Sequence, residues 1–200
     1  MHVLTGSAVE LQMVLSPSFG HPMEKDLSDL LTRAGRIVSQ MKTQHSTVIA
    51  LLTRLKQSSS ALEKEEVRLG LKQEISTALE ADGIPQDLIN AITMVFVNMA
   101  MNDIELVCAV SGHSIVLHLR FQSSDASSRL REMVQSGRLH SLLHVATEQF
   151  IQSQPQSDVV FQAGDFTLSL SYQAPEGTFV TPVILLNANS TGRCWKMMKS

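Results

Sequence analysis

Charge, cysteine and aromatic side chains are all in short supply in this chain. Of its 200 residues 18% are charged, with a formal net charge of −3, and 4% are aromatic, with one Trp and two Cys. So neutral a balance lacks the basic excess of a dedicated nucleic-acid binder, and no nucleic-acid partner is expected. Two cysteines cannot staple a small secreted scaffold. No apolar run approaches the roughly 18–20 residues needed to span a bilayer. The longest, residues 91–101, is too short and carries Asn98. The first residues have no basic region, and Glu10 interrupts their apolar stretch, so no signal peptide is expected. Glycine-rich phosphate loops, a GxSxG elbow, HExxH and CxxC are missing as well. No cofactor and no enzymatic activity are therefore expected. What is plentiful is aliphatic: 44% of residues are hydrophobic, ten of them Met, which is too many for a disordered chain. The expected location is intracellular, in the cytoplasm rather than the nucleus.

The charges are unevenly placed. Residues 24–82 hold nine of the sixteen Lys/Arg and nine of the nineteen Asp/Glu. The pattern divides the chain into a tail over 1–23, a helical region over 24–82, a compact α+β domain over 83–187 and a C-terminal tail over 188–200. Within the first tail Val9, Leu11, Met13 and Leu15 alternate with Glu10 and Gln12, the period of a short strand that could join a sheet edge or a partner.

A heptad row runs through the helical region: Leu27, Ala34, Met41, Val48, Leu55, Leu62 and Leu69. Leu30, Ile37 and Leu51 make the companion row, which fails at Ser58 and Glu65. Such a repeat keeps one stripe facing another helix over many turns. It reads as a coiled coil, or as a helix packed within its own domain, or as a hairpin turning near residues 58–60. Five cations and no acid lie between Arg33 and Lys56, and Glu63, Glu65 and Glu66 follow. A basic helix followed by an acidic one can pair antiparallel or with a copy of itself, and a basic surface can meet an acidic partner, but charge runs of this kind are more often plain solvated faces. Gly83 and Pro85 then punctuate the chain.

The C-terminal pattern predicts a helix over 86–101 that is apolar nearly all round and so must be covered on several sides. A hairpin over 103–121 turns at Ser111 and Gly112. One long helix over 124–150 follows, with Gly137 bending it or admitting another backbone. A second hairpin over 158–173 and a last strand over 179–186, with Pro182 at an edge or bulge, complete the order α-β-β-α-β-β-β. An antiparallel sheet with helices on one face accounts for it. This element order is similar to that of roadblock and longin-like adaptor domains and of bacterial secretion chaperones. The similarity carries no residue over.

Candidate chemistry is sparse. His140, His144 and Glu148 share one helix face and form part of a metal-ligand set, but structural zinc takes four ligands and no completing cluster is evident, so no metal is expected. His118 and Arg120 share a strand parity, with His113 at the turn. Cys108 falls on the apolar parity of its strand and reads as a core residue. Trp195 stands among three cations in the last residues, a pattern that suits a hook for a partner, contact with a membrane surface, or docking on the chain's own domain. The leading expectation is a non-enzymatic protein–protein interaction module, an adaptor or scaffold subunit. Its contacts to another protein or a second copy would run through Leu27, Leu30, Ala34, Ile37, Met41, Val48, Leu51, Leu55 and Trp195. A chaperone or secretion-linked protein holding an extended client at a strand edge is the first alternative. An enzyme with an unsigned His/Glu site is the second.

Overall fold

A computed structural model describes residues 9–15, 20–154, 166–173 and 179–180. They form a mixed structure of helices and one antiparallel sheet. Strand β1 (Val9–Leu15) is followed by helices α1 (His21–Gln44), α2 (Ser46–Gln57), α3 (Ala61–Ala81) and α4 (Gln86–Met101). Then come β2 (Ile104–Ser111), β3 (Ile115–Phe121), α5 (Ala126–Gln135), α6 (Arg138–Gln152), β4 (Phe166–Gln173) and the short β5 (Phe179–Val180). The sheet order is β2-β3-β1-β4-β5, every pair antiparallel.

The first strand does not join the edge of the sheet. It sits between β3 and β4, with Leu11 opposite both Leu117 and Leu170. Its period of two explains the place. Val9, Leu11, Met13 and Leu15 are buried while Gln12 and Val14 are exposed, and each buried aliphatic contributes about 1.5–3 kcal/mol. Pairing on both sides also satisfies the backbone groups that an edge strand leaves open.

The helical region is three helices. α1 ends where His45 turns extended (φ −97, ψ 109), and α2 ends at Ser58 (φ −85, ψ 132). α2 and α3 then form a hairpin about the turn at 58–60. Arg54 reaches Glu66 at 2.5 Å, and His45 lies 3.7 Å from Glu74. Within the hairpin one member of the basic run, Arg54, meets the acidic run at Glu66, whereas Arg33 pairs with Asp82 and Lys56 with Asp103. Gly83 adopts φ 80 just beyond α3, and the Ile84 N–H donates to the Leu79 carbonyl, closing the helix before Pro85 opens the next. α4 is buried over most of its length, including Leu88, Ile92, Val95, Phe96 and Met99. Buried side chains from β1, α1, α3, α4, α5, α6 and the sheet belong to one hydrophobic cluster.

The helix expected over 124–150 is divided. Gly137, at φ 73, separates α5 from α6. No neighbour lies within 4 Å of where its Cβ would be, so the glycine serves the left-handed turn and not a close approach. The hairpin of β2 and β3 carries a bulge between Leu106 and Cys108. The bulge reverses the parity of the second half of β2: Ala109 is buried, Val110 is half exposed, and Cys108 is only partly buried instead of in the core. The strand expected at Val159 and Phe161 lies outside the described residues, as do residues 181–186, Trp195 and the whole segment 188–200.

Helix α1 lies along the outer edge of β2. Thr32 Oγ1 accepts from the Ala109 N–H at 2.8 Å and donates to the Ala109 carbonyl at 3.3 Å. Gly35 faces the Leu106 carbonyl, 3.0 Å from where a Cβ would stand. Farther along α1, Ser39 donates to the Glu105 carboxylate. A helix therefore occupies the edge that another strand would otherwise find open.

Candidate functional site

The predicted contact residues divide by environment. Leu27, Ala34, Met41 and Val48 are buried in the chain's own core, and Leu30, Ile37, Leu51 and Leu55 pack against it. The row then leaves the core: Leu62 is 71% exposed and Leu69 53%. Both sit on α3, one heptad apart, opposite the stripe of Val67, Leu71, Ile75 and Leu79 that α3 buries.

The histidine stripe lies on α6. His140 is buried, and its Nε2–H donates to the Phe166 carbonyl at 3.2 Å, so the ring ties α6 to the start of β4. The His144 ring stacks at 6.1 Å from it, and Phe166 meets His140 edge-on at 4.8 Å. Burial lowers the His140 pKa from its ordinary 6.5; the bond to Phe166 opposes this and the His144 charge adds to it. Glu148 is on the same helix and only partly buried. Among the described residues no group of three His, Cys, Asp or Glu side chains could hold a metal ion.

His118 and Arg120 do not join this stripe. His118 Nδ1 is 3.5 Å from a Glu10 oxygen on β1, and Arg120 pairs with Glu105 on β2. His113 is exposed at the hairpin turn. The shared pocket that a His/Glu site requires is not formed by these residues.

A polar cluster that the sequence did not announce lies where β2 begins. Glu105 is only 7% exposed. Its carboxylate accepts from Arg120 Nε at 3.2 Å, Gln122 at 3.0 Å and Ser39. Burial alone would raise its pKa; the bonds from Arg120 and Ser39, with the Arg120 and Lys42 charges, outweigh that and hold it below the usual carboxylate value. Lys42 Nζ is buried with no hydrogen-bond partner among the described residues. Desolvation lowers its pKa against the pull of Glu105 and Asp103. Asp103 adopts φ 57, a left-handed conformation that Asp tolerates better than most residues. Its carboxylate is 3.7 Å from Lys56 Nζ and 3.4 Å from Arg129 Nη1.

Comparison with protein-family models, with curated proteins and with solved structures finds no match.

Beside Asp103 a cleft of about 480 Å³ opens between the α2–α3 turn, the end of α4 and the helices α5 and α6. Lys56, Lys64, Arg129 and Arg138 line it, against the one carboxylate of Asp103. The sequence offers no motif for this site. Its cations come from four separate helices, and only the fold gathers them. Among the described residues no helix is long and apolar enough to cross a membrane.

Proposed function

We propose that the chain is a non-enzymatic protein–protein interaction module, an adaptor or scaffold subunit whose contact surface is the outer face of α3. One observation carries this reading: the heptad row continues to Leu62 and Leu69 after its earlier members are buried in the chain's own core. Two leucines one heptad apart on an exposed helix face suit an apolar stripe of another helix, from a second copy or another protein. In this reading the sheet is covered by helices on one face, and the helical layer is where partners meet it.

The test is light scattering combined with an affinity pull-down, comparing wild type with Leu62→Glu/Leu69→Glu. The expected result is a complex, with itself or with another protein, that the double variant loses. A wild-type monomer whose recovered proteins are the same as those of the double variant would sink the proposal.

The strand-edge alternative has one specific support. Because α1 occupies the β2 edge, a client strand would add on the β4 side, where β5 pairs only with Tyr172 and Gln173 among the described residues. Its measure is amide protection of Phe166–Ser171 on addition of a client peptide.

A further inference from the structure

We propose that the cleft bounded by Lys56, Lys64, Arg129 and Arg138 is a binding site for a phosphoryl anion. Four cations and one carboxylate line the cleft, a formal excess of three positive charges in a chain whose net charge is −3. Grouping like charges costs energy that a solvated surface avoids by spreading them, and a bound anion relieves it.

The four cations are not equivalent. Lys56 of α2 and Arg129 of α5 share Asp103, at 3.7 and 3.4 Å. Lys64 and Arg138 make no side-chain hydrogen bond or ion pair with the described residues, so their donors are available to a ligand. Two guanidinium groups supply planar donor forks suited to oxyanions. Arg138 is also the first residue of α6, whose cap is Gly137, with no side chain to satisfy the first amides. A helix start of that kind adds to the favourable potential for an anion.

The remaining lining narrows the ligand class. A single carboxylate would be served by one arginine; an excess of three matches the multiple charge of a phosphate group better. The Asn98 and Asn102 Nδ2 groups already donate to the Met94 and Asn98 carbonyls, leaving their Oδ1 atoms as acceptors for a ligand hydroxyl. Leu52, Leu55 and Met101 form an apolar wall beside them. The volume falls within the range of small-molecule sites, about 300–1,000 Å³. This inference uses no residue of the α3 contact face, so either proposal can fail without the other.

The probe is inorganic pyrophosphate, titrated into the full chain by calorimetry at fixed salt. Lys64→Gln/Arg138→Gln serves as the key variant, because neither side chain supports the fold and its thermal midpoint should match wild type. The expected result is saturable binding that weakens at least about tenfold in that variant. A second arm distinguishes a soluble phosphate from a lipid headgroup: sedimentation with vesicles containing phosphatidic acid. Retention lost in the same variant, without pyrophosphate binding, assigns the phosphoryl group to a headgroup. The proposal is overturned when wild type shows no binding up to about 1 mM in either arm, or when the variant binds as wild type does.

Discussion

Gly35 and Gly70 both lie inside helices, yet a methyl group at the two positions meets different neighbours. At Gly35 it would meet the Leu106 backbone carbonyl at 3.0 Å and the Leu106 Cβ at 3.3 Å. At Gly70 it would meet only the tip of the Leu51 side chain, at 3.0 Å. Alanine gains about 1 kcal/mol of helix propensity over glycine at either site. A strand backbone anchored in a sheet cannot yield as a leucine tip can, and overpacking costs about 1–3 kcal/mol. Gly35→Ala is therefore expected to lower the urea midpoint and Gly70→Ala to leave it unchanged or raise it, both at constant slope. His140 supplies a pH dependence at the same scale. Its folded pKa lies below the ordinary imidazole value, so the unfolded chain binds the proton more tightly. The stability it contributes is fully present above about pH 6.5 and is lost as pH falls through that value toward the folded pKa. Denaturation from about pH 7 down to about pH 5 should show this loss, and His140→Gln should flatten it.

At the scale of elements, the decisive contact is α1 on the edge of β2. Thr32→Val keeps the shape of the side chain but removes the partner of the Ala109 N–H. A buried donor left unsatisfied costs about 1–3 kcal/mol. The expected signature is local: hydrogen exchange at Ala109 quickens more than at its neighbours on β3. Equal exchange in variant and wild type would show that the hydroxyl does not hold the edge. Much of the element layout was readable in the sequence. The alternation at Val9–Leu15 and Phe166–Gln173, the greasy helix of residues 86–101 and the Gly83 stop all rest on local periodicity and backbone conformation. The breaks at His45 and Gly137 were harder. His45 carries no glycine or proline signal, and Gly137 alone cannot distinguish a bend from a full break. The bulge at Val107 was hidden for a different reason. Leu106 and Val107 are both apolar, so alternation gives no sign of an extra residue, and a one-residue slip exchanges the faces. That slip is also what sets Glu105 opposite Arg120, so the partner of the buried carboxylate could not be read before the register was known.

For the whole molecule, the question is which apolar surface the fold retains and which it leaves exposed. Heptad spacing identified the row but could not tell which of its members face the chain's own core, because spacing specifies a stripe and not its partner. The three-dimensional packing makes that division at the α2–α3 turn. Leu62→Glu/Leu69→Glu should accordingly leave unfolding stability within about 0.5 kcal/mol of wild type, since exposed positions bear little of the fold. Any change in particle mass would then report association and not misfolding. The cationic cleft was invisible in sequence for a related reason. Lys56, Lys64, Arg129 and Arg138 are ordinary solvated charges when viewed on their own helices. Their meeting depends on the hairpin turn and the division of α5 from α6.

The central place of β1 has a consequence for how the chain is made. Synthesis delivers this strand well before its two neighbours: β3 with Leu117 and β4 with Leu170. Until then a ribosome-bound chain carries an apolar strand open on both sides, and after β3 docks it is still open on the other. Pairings so distant in sequence are slow to form, and an unpaired strand is a template for unwanted association. The interval between translation of β3 and β4 is thus the period when nascent chains are most exposed to one another. Co-translational folding of this protein will be governed less by its many local helices than by the wait for residue 166.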